Sequence, residues 1–297
     1  MFNEIIIERI LGSVIPVLII VLIGYAYGRW RSPNMTTVNQ INMELFIPIL
    51  IFSVLAAKSV DLSDYTPLAI GAVVVILGSG ILTAFFCKVT GLNIKTLVPP
   101  MMFTNTGNLA LPLVLLAFGE AAMPAIIVIF VVSQFLHFTL GFYILDRHAR
   151  VLNRISVPTI IATLAGIGVG MTDVHIPALI LIPMEMLGQI VIPMVLFALG
   201  VRMQDVTTND LRVGITAAIL CPVTGLALAY CLQPILQLDA LQWSVFLVFA
   251  ALPPAVLNYM VAERYNQEPS RVASIVLIGN IGAIVWMPLA LALAPTF

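Results

Sequence analysis

Apolar residues dominate this chain in long runs that are separated by short polar interruptions. A helix needs about 20 apolar residues to cross the hydrocarbon core of a bilayer, and each run approaches that length. The predicted spans, numbered 1 to 10, cover approximately residues 10–29, 38–57, 67–88, 97–118, 122–145, 155–171, 178–201, 212–233, 243–263 and 271–294. The loops between them are brief. The pattern therefore predicts an all-α, polytopic membrane protein of ten transmembrane helices, with no room for a separate soluble domain.

Composition places the chain in a lipid bilayer. Of its 297 residues 61% are hydrophobic and only 9% are charged, whereas soluble domains carry about 25% charged residues. The net charge of −1 leaves no basic face that could neutralise phosphates, which excludes nucleic acid as a partner. Cys87, Cys221 and Cys231 lie in apolar runs without C-x-x-C or histidine-rich spacing. They predict packing roles, and we expect no metal site and no bound cofactor.

The positions of the basic residues predict how the chain is oriented. Eleven of the 13 Lys and Arg residues lie in the loops that follow odd-numbered spans. They are Arg29, Arg31, Lys88, Lys95, Arg147, Arg150, Arg154, Arg202, Arg212, Arg264 and Arg271. Cytoplasmic loops are enriched in Lys and Arg, so both termini are predicted on the outer side of the cell inner or plasma membrane. No basic n-region or cleavage site precedes the first apolar run, so we interpret it as span 1 and not as a signal peptide.

Two short matches suggest that the chain is an internal duplication. Residues 47–52, IPILIF, resemble residues 192–197, IPMVLF, and residues 98–100, VPP, resemble residues 252–254, LPP. Both matches pair a span with the one five places later, which predicts two five-helix repeats at 1–150 and 151–297. Since each repeat has an odd number of spans, the second enters the membrane from the opposite face. Inverted repeats are typical of secondary transporters, which bind near the midplane where the repeats meet.

A polar, helix-breaking cluster occupies the middle of span 4. It consists of Thr104, Asn105, Thr106, Gly107 and Asn108. Exposed backbone groups cost several kcal/mol each in hydrocarbon, so unwound chain at this depth must face protein or a polar cavity. We expect a left-handed backbone here, with Asn108 or a neighbour capping a second half-helix and Pro112 in its first turn. The alternative interpretation is that these side chains only pack between helices.

Span 9 has an interruption of its own, Pro253-Pro254, followed by Asn258 and Tyr259. Two broken helices that cross at mid-depth would bring two half-helix N-termini to one cavity. Free N–H groups and the helix dipole make such a place favourable for an anion. The sequence therefore predicts a substrate site at the crossing of spans 4 and 9, although prolines also occur in membrane helices as simple kinks.

The segment TNTGNLALP, with its N-x-G-N-x-x-x-P pattern in span 4, resembles the auxin efflux carrier family, which shares the fold of the bile-acid:sodium symporters. The resemblance covers essentially the whole chain. It implies a scaffold of helices 1, 2, 6 and 7, a moving transport domain of helices 3–5 and 8–10, and a substrate pocket lined by Asn105, Asn108 and Asn258. Bacterial members are described as permeases for malonate, malate or similar organic anions. The plant members carry N-P-N-T-Y at the crossover, and the departure from that motif here argues against auxin itself.

Other polar residues within the spans are candidates for binding a proton or Na⁺ that drives transport. They are Glu44 in span 2, Gln134 and His137 in span 5, Glu185 and Gln189 in span 7, and Asn280 in span 10. Under the repeat, Gln189 stands where Glu44 does. The alternative is that these groups snorkel to the interface or hydrogen-bond between helices. Gly24-x-x-x-Gly28 and Gly166-x-Gly168-x-Gly170 predict close helix contacts, either within the scaffold or in a homodimer formed through it.

These patterns favour a secondary transporter of a small organic anion that works by alternating access. Two alternatives would use the same asparagines and are not excluded by the sequence: an anion channel, and a carrier of a neutral or amphipathic auxin-like solute. No Walker-type, H-E-x-x-H, G-x-S-x-G or paired-aspartate motif occurs, so the sequence predicts neither a nucleotide-driven pump nor an enzyme.

Overall fold

The computed structural model describes residues 2–56, 62–145, 156–170, 172, 176–202 and 210–295. Within these ranges the chain is helical, with no strand and one isolated β-bridge. The predicted all-α fold is confirmed. The absence of strands in the described ranges follows from the sequence, because a continuous helix satisfies its own backbone groups in an apolar medium.

Helices coincide with every predicted span. The α-helices are α1 (Phe2–Arg31), α2 (Thr36–Ile41), α3 (Ile47–Leu55), α4 (Thr66–Thr90), α5 (Ile94–Met102), α6 (Leu111–Phe118), α7 (Met123–Leu136), α8 (Phe142–Leu145), α9 (Ser156–Gly170), α10 (Ala178–Gln189), α11 (Val191–Arg202), α12 (Leu211–Leu236), α13 (Ala240–Ala250), α14 (Leu257–Arg264) and α15 (Pro269–Leu293). Three π-helices join some of them: π1 (Asn42–Phe46), π2 (Thr106–Ala110) and π3 (His137–Gly141).

Five helical stretches among the described residues are long and apolar enough to span a membrane. They are Thr66–Thr90, Glu120–Leu145, Ala178–Ala198, Leu211–Leu236 and Pro269–Leu293. Shorter apolar helices occupy Glu44–Leu55, Thr106–Phe118, Pro158–Gly170 and Ala240–Ala250. The protein therefore has several membrane helices, while the count of ten crossings and the inverted repeat stay predictions.

The chain divides into two compact units. The larger unit contains residues 2–16, 67–145 and 210–295, and the smaller unit contains residues 17–56, 62–66 and 156–202, as far as the chain is described. Each unit takes segments from both predicted halves, 1–150 and 151–297. The smaller unit holds the second half of α1 together with α2, α3 and α9–α11, and the larger unit holds the first half of α1 and the other helices.

Glycine allows close backbone approach in the smaller unit. A Cβ on Gly200 in α11 would lie 2.8 Å from the backbone nitrogen of Tyr25 in α1 and would also collide with the carbonyl oxygen of Val21. A Cβ on Gly188 in α10 would lie 3.1 Å from the Cα of Leu50 in α3. These glycines let helix axes come together where any side chain would hold them apart.

Two helices of the smaller unit are irregular at matching places. The segment π1 precedes Pro48, and α10 ends at Gln189, four residues before Pro193. Proline has no N–H, so it cannot donate to the carbonyl four residues earlier, which belongs to Glu44 or to Gln189. The irregularities thus occur at positions that the predicted repeat pairs.

The core of the larger unit surrounds α13. Every residue from Gln242 to Ala250 is buried, and a helix that is apolar on all sides is expected inside a bundle. A Cβ on Gly225 in α12 would lie 3.0 Å from the carbonyl carbon of Ala250, at the end of α13. The Sγ of Cys221, one turn earlier, lies 3.5 Å from the carbonyl oxygen of Leu252. Helix α12 therefore packs closely on the place where α13 ends.

Candidate binding site at the crossing of two interrupted helices

The helix of span 4 is interrupted at residues 103–105, between α5 and π2. Phe103 has φ −106° and ψ 97°, an extended conformation, and Asn105 has φ −80° and ψ 55°. None of residues 103–108 has a positive φ, so the prediction of a left-handed backbone here is wrong. The helix ends because the chain becomes extended, and Gly107 serves a different purpose. Its Cβ would lie 3.0 Å from the ring of Phe130, so it makes room for that ring.

The helix of span 9 is interrupted at residues 251–256, between α13 and α14. Pro253 and Pro254 occupy the middle of this break. Proline donates no backbone hydrogen bond and disfavours helical geometry in the residue before it, so two prolines in succession end α13. The breaks in both spans fall where the sequence predicted them.

The two interrupted segments pair with each other. Thr104 and Pro254 form an isolated antiparallel β-bridge. The N–H of Asn105 donates to the carbonyl oxygen of Pro253 at 2.8 Å, and the N–H of Ala255 donates to the carbonyl oxygen of Phe103 at 3.0 Å. Unwound backbone cannot satisfy itself in an apolar interior, and here each break supplies the partners that the other lacks.

Two asparagine side chains strengthen this pairing. Asn258, at the start of α14, donates through Nδ2 to the carbonyl oxygens of Phe103 at 2.8 Å and Ala255 at 3.0 Å. Asn105 is 2% exposed and donates through Nδ2 to Oδ1 of Asn280 in α15 at 2.9 Å. We therefore assign Asn105 and the Nδ2 group of Asn258 to holding the crossing together.

Several polar groups at the crossing make no hydrogen bond to any described residue. They are the backbone N–H groups of Gly107, Asn108, Val256 and Leu257, the side-chain amide of Asn108, Oγ1 of Thr104 and Oδ1 of Asn258. The four N–H groups belong to the first turns of the two second-half helices, where the helix dipole is positive. The crossing therefore presents donors from two helix N-termini, together with amide and hydroxyl groups.

The sequence predicted that Asn108 or a neighbour caps the second half-helix, and the structure has a neighbour at this position. The capping position belongs to Asn105, whose carbonyl oxygen accepts from the N–H groups of Leu109 and Ala110, both at 3.2 Å. Asn108 lies inside π2 and is half-buried. A π-helical turn is frequently found at functional sites, and here it leaves the Asn108 amide available to a ligand.

Other predicted site residues surround the crossing. Thr106 is buried, with Oγ1 at 3.4 Å from Oγ of Ser133 in α7. His137 begins π3, stacks on the ring of Phe103 with 4.3 Å between ring centroids, and lies beside Asn258. Gln134 and Tyr259 are half-buried. The side chain of Gln134 forms no hydrogen bond within the described part of the chain.

The predicted coupling residues Glu44, Glu185 and Gln189 belong to the smaller unit. Glu44 is half-buried and accepts a hydrogen bond from Nε2 of Gln40 at 3.1 Å, whereas Glu185 and Gln189 are exposed on the surface of the chain. The structure therefore gathers Gln134, His137 and Asn280 in the unit that contains the crossing, and the two glutamates in the other unit.

Sequence reasoning missed the parts of Phe103 and Ser133. Phe103 contributes a carbonyl oxygen that accepts two hydrogen bonds and a ring that stacks on His137. Its position directly before the polar cluster was the available signal. Nothing in the sequence around Ser133 indicated a contact with Thr106.

No charged residue lies between Lys95 and Glu120 or between Asp239 and Glu263. The helices that cross here would therefore recognise a ligand through neutral groups alone.

A family model described as a membrane transport protein matches the chain at residues 9–154 and 148–291. The chain belongs to this family.

The sequence is also similar to that of a protein described as a transporter. The protein is 24% identical over 284 residues to an uncharacterized transporter of Methanocaldococcus jannaschii, and the alignment covers 89% of this chain and 92% of the relative. Together with the apolar helices, the match identifies a multi-pass membrane transport protein, and it points away from an enzyme. In a transporter, interrupted helices at membrane depth are characteristic of the place where substrate binds.

Proposed function

We propose that this protein is a secondary transporter that carries a small organic anion, such as malonate or a related carboxylate, across the cell membrane by alternating access. The observation that carries the proposal is the crossing itself. Two half-helices begin there with free N–H groups, and the amide of Asn108 has no partner among the described residues. Such groups bind carboxylate oxygens without the cost of a buried countercharge.

The absence of charge near the crossing narrows the substrate class. Four backbone N–H groups and the side-chain amide of Asn108 favour one carboxylate, or a dicarboxylate that is partly protonated. A trivalent acid such as citrate would leave charges unpaired in an apolar interior and would bind weakly. Gly107, Asn108, Val256 and Leu257 would donate to the carboxylate through their backbone, and Thr104, Thr106, Asn258 and Tyr259 would line the rest of the pocket.

Alternating access requires one body to move relative to another. The division of the chain into two compact units supports this mechanism, and we assign the moving part to the larger unit because it contains the whole crossing. The smaller unit, which holds the helices of predicted spans 2, 6 and 7 and most of span 1, would be the scaffold and would form the homodimer contact. The inverted repeat would relate the two access states.

Energy for uptake would come from Na⁺ or H⁺, since the chain has no nucleotide motif. Glu44 is the first candidate for a protonated coupling group, because its carboxylate is half-buried and has one amide partner. Glu185, Gln189, Gln134 and His137 are the further candidates. We place the protein in the inner or plasma membrane with both termini outside.

The test combines ligand binding with transport. Purified protein is heated with mono- and dicarboxylates, with and without Na⁺ at two pH values, and the same acids are then offered as labelled substrates to proteoliposomes. A ligand at 100 times its Kd stabilises the folded state by about 2.7 kcal/mol. We expect malonate or a relative to raise the melting temperature and to show saturable uptake. No shift with any carboxylate would refute the anion proposal, and conductance that does not saturate would identify a channel.

Asn108→Ala is the decisive variant of this experiment. We expect uptake to fall at least a hundredfold, because one of the ligand's amide partners is lost, while the melting temperature stays within about 2 °C since Asn108 has no partner to lose. Leu116→Ala is the matched control, because Leu116 is 43% exposed on the same half-helix. If Asn108→Ala lowers the melting temperature strongly, Asn108 has a structural role and the site assignment is wrong.

A further inference from the structure

The side chain of Asn280 connects both interrupted segments to a third helix. Its Oδ1 accepts from Nδ2 of Asn105 at 2.9 Å, and its own Nδ2 donates to the carbonyl oxygens of Pro254 at 3.0 Å and Val276 at 2.8 Å. Asn105 belongs to the break in span 4 and Pro254 to the break in span 9. One amide in α15 therefore bonds to both breaks.

The backbone around Asn280 is shaped for this contact. Gly279 faces the prolines, and a Cβ there would lie 2.7 Å from Cδ of Pro254. Any side chain at position 279 would push α15 away from the break and would lengthen the bond from Asn280 to Pro254. The bond to Val276, one turn earlier, fixes the orientation of the amide on its own helix.

These bonds leave Asn280 little capacity for anything else. A primary amide has two N–H donors, and both are used within the protein. Its oxygen already accepts from Asn105. The sequence made Asn280 a candidate for ion coupling, but a group whose hydrogen bonds are committed in this way is better suited to holding other groups in place.

We propose that Asn280 is the positioning residue of the crossing: it holds the two interrupted segments in register, so that their free N–H groups face one ligand. This proposal deepens the proposed function. Only the transport measurement depends on the proposed function, because the hydrogen-exchange measurement needs no substrate. Asn280 does not contact the ligand and acts through Asn105 and Pro254. Losing it would therefore loosen both breaks together, which loss of an ordinary helix contact in α15 would not do.

Hydrogen exchange tests this without any substrate. In Asn280→Ala we expect exchange to accelerate at least tenfold in peptides that cover 103–110 and in peptides that cover 252–259, because the two breaks that pair through the N–H groups of Asn105 and Ala255 are no longer fixed to each other. Peptides from 36–55 in the smaller unit should be unchanged. Ile281→Ala is the matched control, since the neighbouring Ile281 is 44% exposed on the same helix, and it should match the wild type throughout.

A second variant separates positioning from packing. Asn280→Asp keeps the size of the side chain and an acceptor for Asn105, but it turns oxygen lone pairs towards the carbonyls of Pro254 and Val276. We expect it to loosen the 252–259 segment at least as much as Asn280→Ala does. Faster exchange confined to 270–290, or spread evenly over the protein, would overturn the proposal for either variant.

Malonate uptake in proteoliposomes provides the functional readout. Asn280→Ala should lower kcat/KM at least tenfold per folded molecule. The double variant Asn105→Ala/Asn280→Ala should be as active as the less active of the two single variants, because both substitutions remove the same hydrogen bond. Multiplying losses would show that the two residues act separately and would overturn the proposal. If the wild type transports no carboxylate, the proposed function fails, and the exchange pattern still decides whether Asn280 holds the crossing.

Discussion

The glycine contacts of the smaller unit and the crossing in the larger unit hold helices together by different means. In the smaller unit, glycines such as Gly200 and Gly188 bring helix backbones into contact. At the crossing in the larger unit, the breaks are joined by backbone pairing and by the amides of Asn105, Asn258 and Asn280. Close packing makes a rigid contact that tolerates no added atom. A hydrogen-bonded crossing keeps its geometry while it leaves neighbouring N–H groups free for a ligand.

The largest stability effect is expected from the glycine contact. Gly200→Ala would place a Cβ against the backbone of Val21 and Tyr25, which cannot move aside as a flexible side chain can. Overpacking of this kind costs about 1–3 kcal/mol and sometimes more. The apparent melting temperature in detergent should fall by several degrees, and protein yield should fall with it.

Gly168→Ala is the matched control for that variant. Gly168 lies in α9 of the same unit, and no atom of another described helix lies within 4 Å of the position its Cβ would take. Alanine is a better helix former than glycine by about 1 kcal/mol, so this variant should be neutral or slightly stabilising. Equal losses from Gly200→Ala and Gly168→Ala would contradict the close-packing account of the smaller unit.

A smaller loss of stability is expected at the crossing. Asn258→Ala removes two hydrogen bonds and leaves the carbonyl oxygens of Phe103 and Ala255 with fewer donors. Because each carbonyl keeps or can find another partner, we expect a loss of about 1–2 kcal/mol, measured by thermal unfolding in detergent. Uptake should fall much further, by at least a hundredfold.

The loss of stability relative to the loss of uptake should differ between Gly200→Ala and Asn258→Ala, which tests the comparison between the glycine contacts and the crossing. For Gly200→Ala, activity per folded molecule should be nearly that of the wild type, whereas for Asn258→Ala it should be almost lost. If Asn258→Ala transports normally once folded, its Oδ1 does not face the ligand, and its place in the pocket is refuted.

The smallest structural effect is expected from Glu44→Gln. The substitution preserves the size of the side chain and a partner for Gln40, so the melting temperature should change by less than about 2 °C. If Glu44 carries the coupling proton, uptake in the variant should lose its dependence on external pH. If the variant keeps the pH profile of the wild type, Glu44 does not carry the coupling proton, and the role belongs to another group, such as His137.

Sequence patterns were sufficient for the elements and for the location of the breaks. Five polar or glycine residues in the middle of an apolar span predict an interruption, because polar backbone at that depth needs protein partners. Paired prolines do the same for span 9. The glycines at 24, 166 and 170 were predicted to make close helix contacts, and each of them does lie against a neighbouring helix in the structure.

The sequence could not show that Asn105 holds the crossing together whereas the side chain of Asn108 is left for a ligand. The two residues are three positions apart and chemically identical, and they differ only because Asn105 meets Asn280, which is 175 residues away. The same holds for Gly168, which fits the glycine pattern of α9 but faces no other helix among the described residues. Local sequence indicates which residues are able to play a part, and tertiary contacts decide which of them do.

The pairing of the two breaks also has a consequence for how the protein is made. Asn258 follows its partner Phe103 by 155 residues, which corresponds to roughly 8–30 s of synthesis at about 5–20 residues per second. Throughout that interval the first break has no second break to pair with. The backbone of residues 103–105 therefore gains its hydrogen-bond partners in span 9 only after that span has been synthesised.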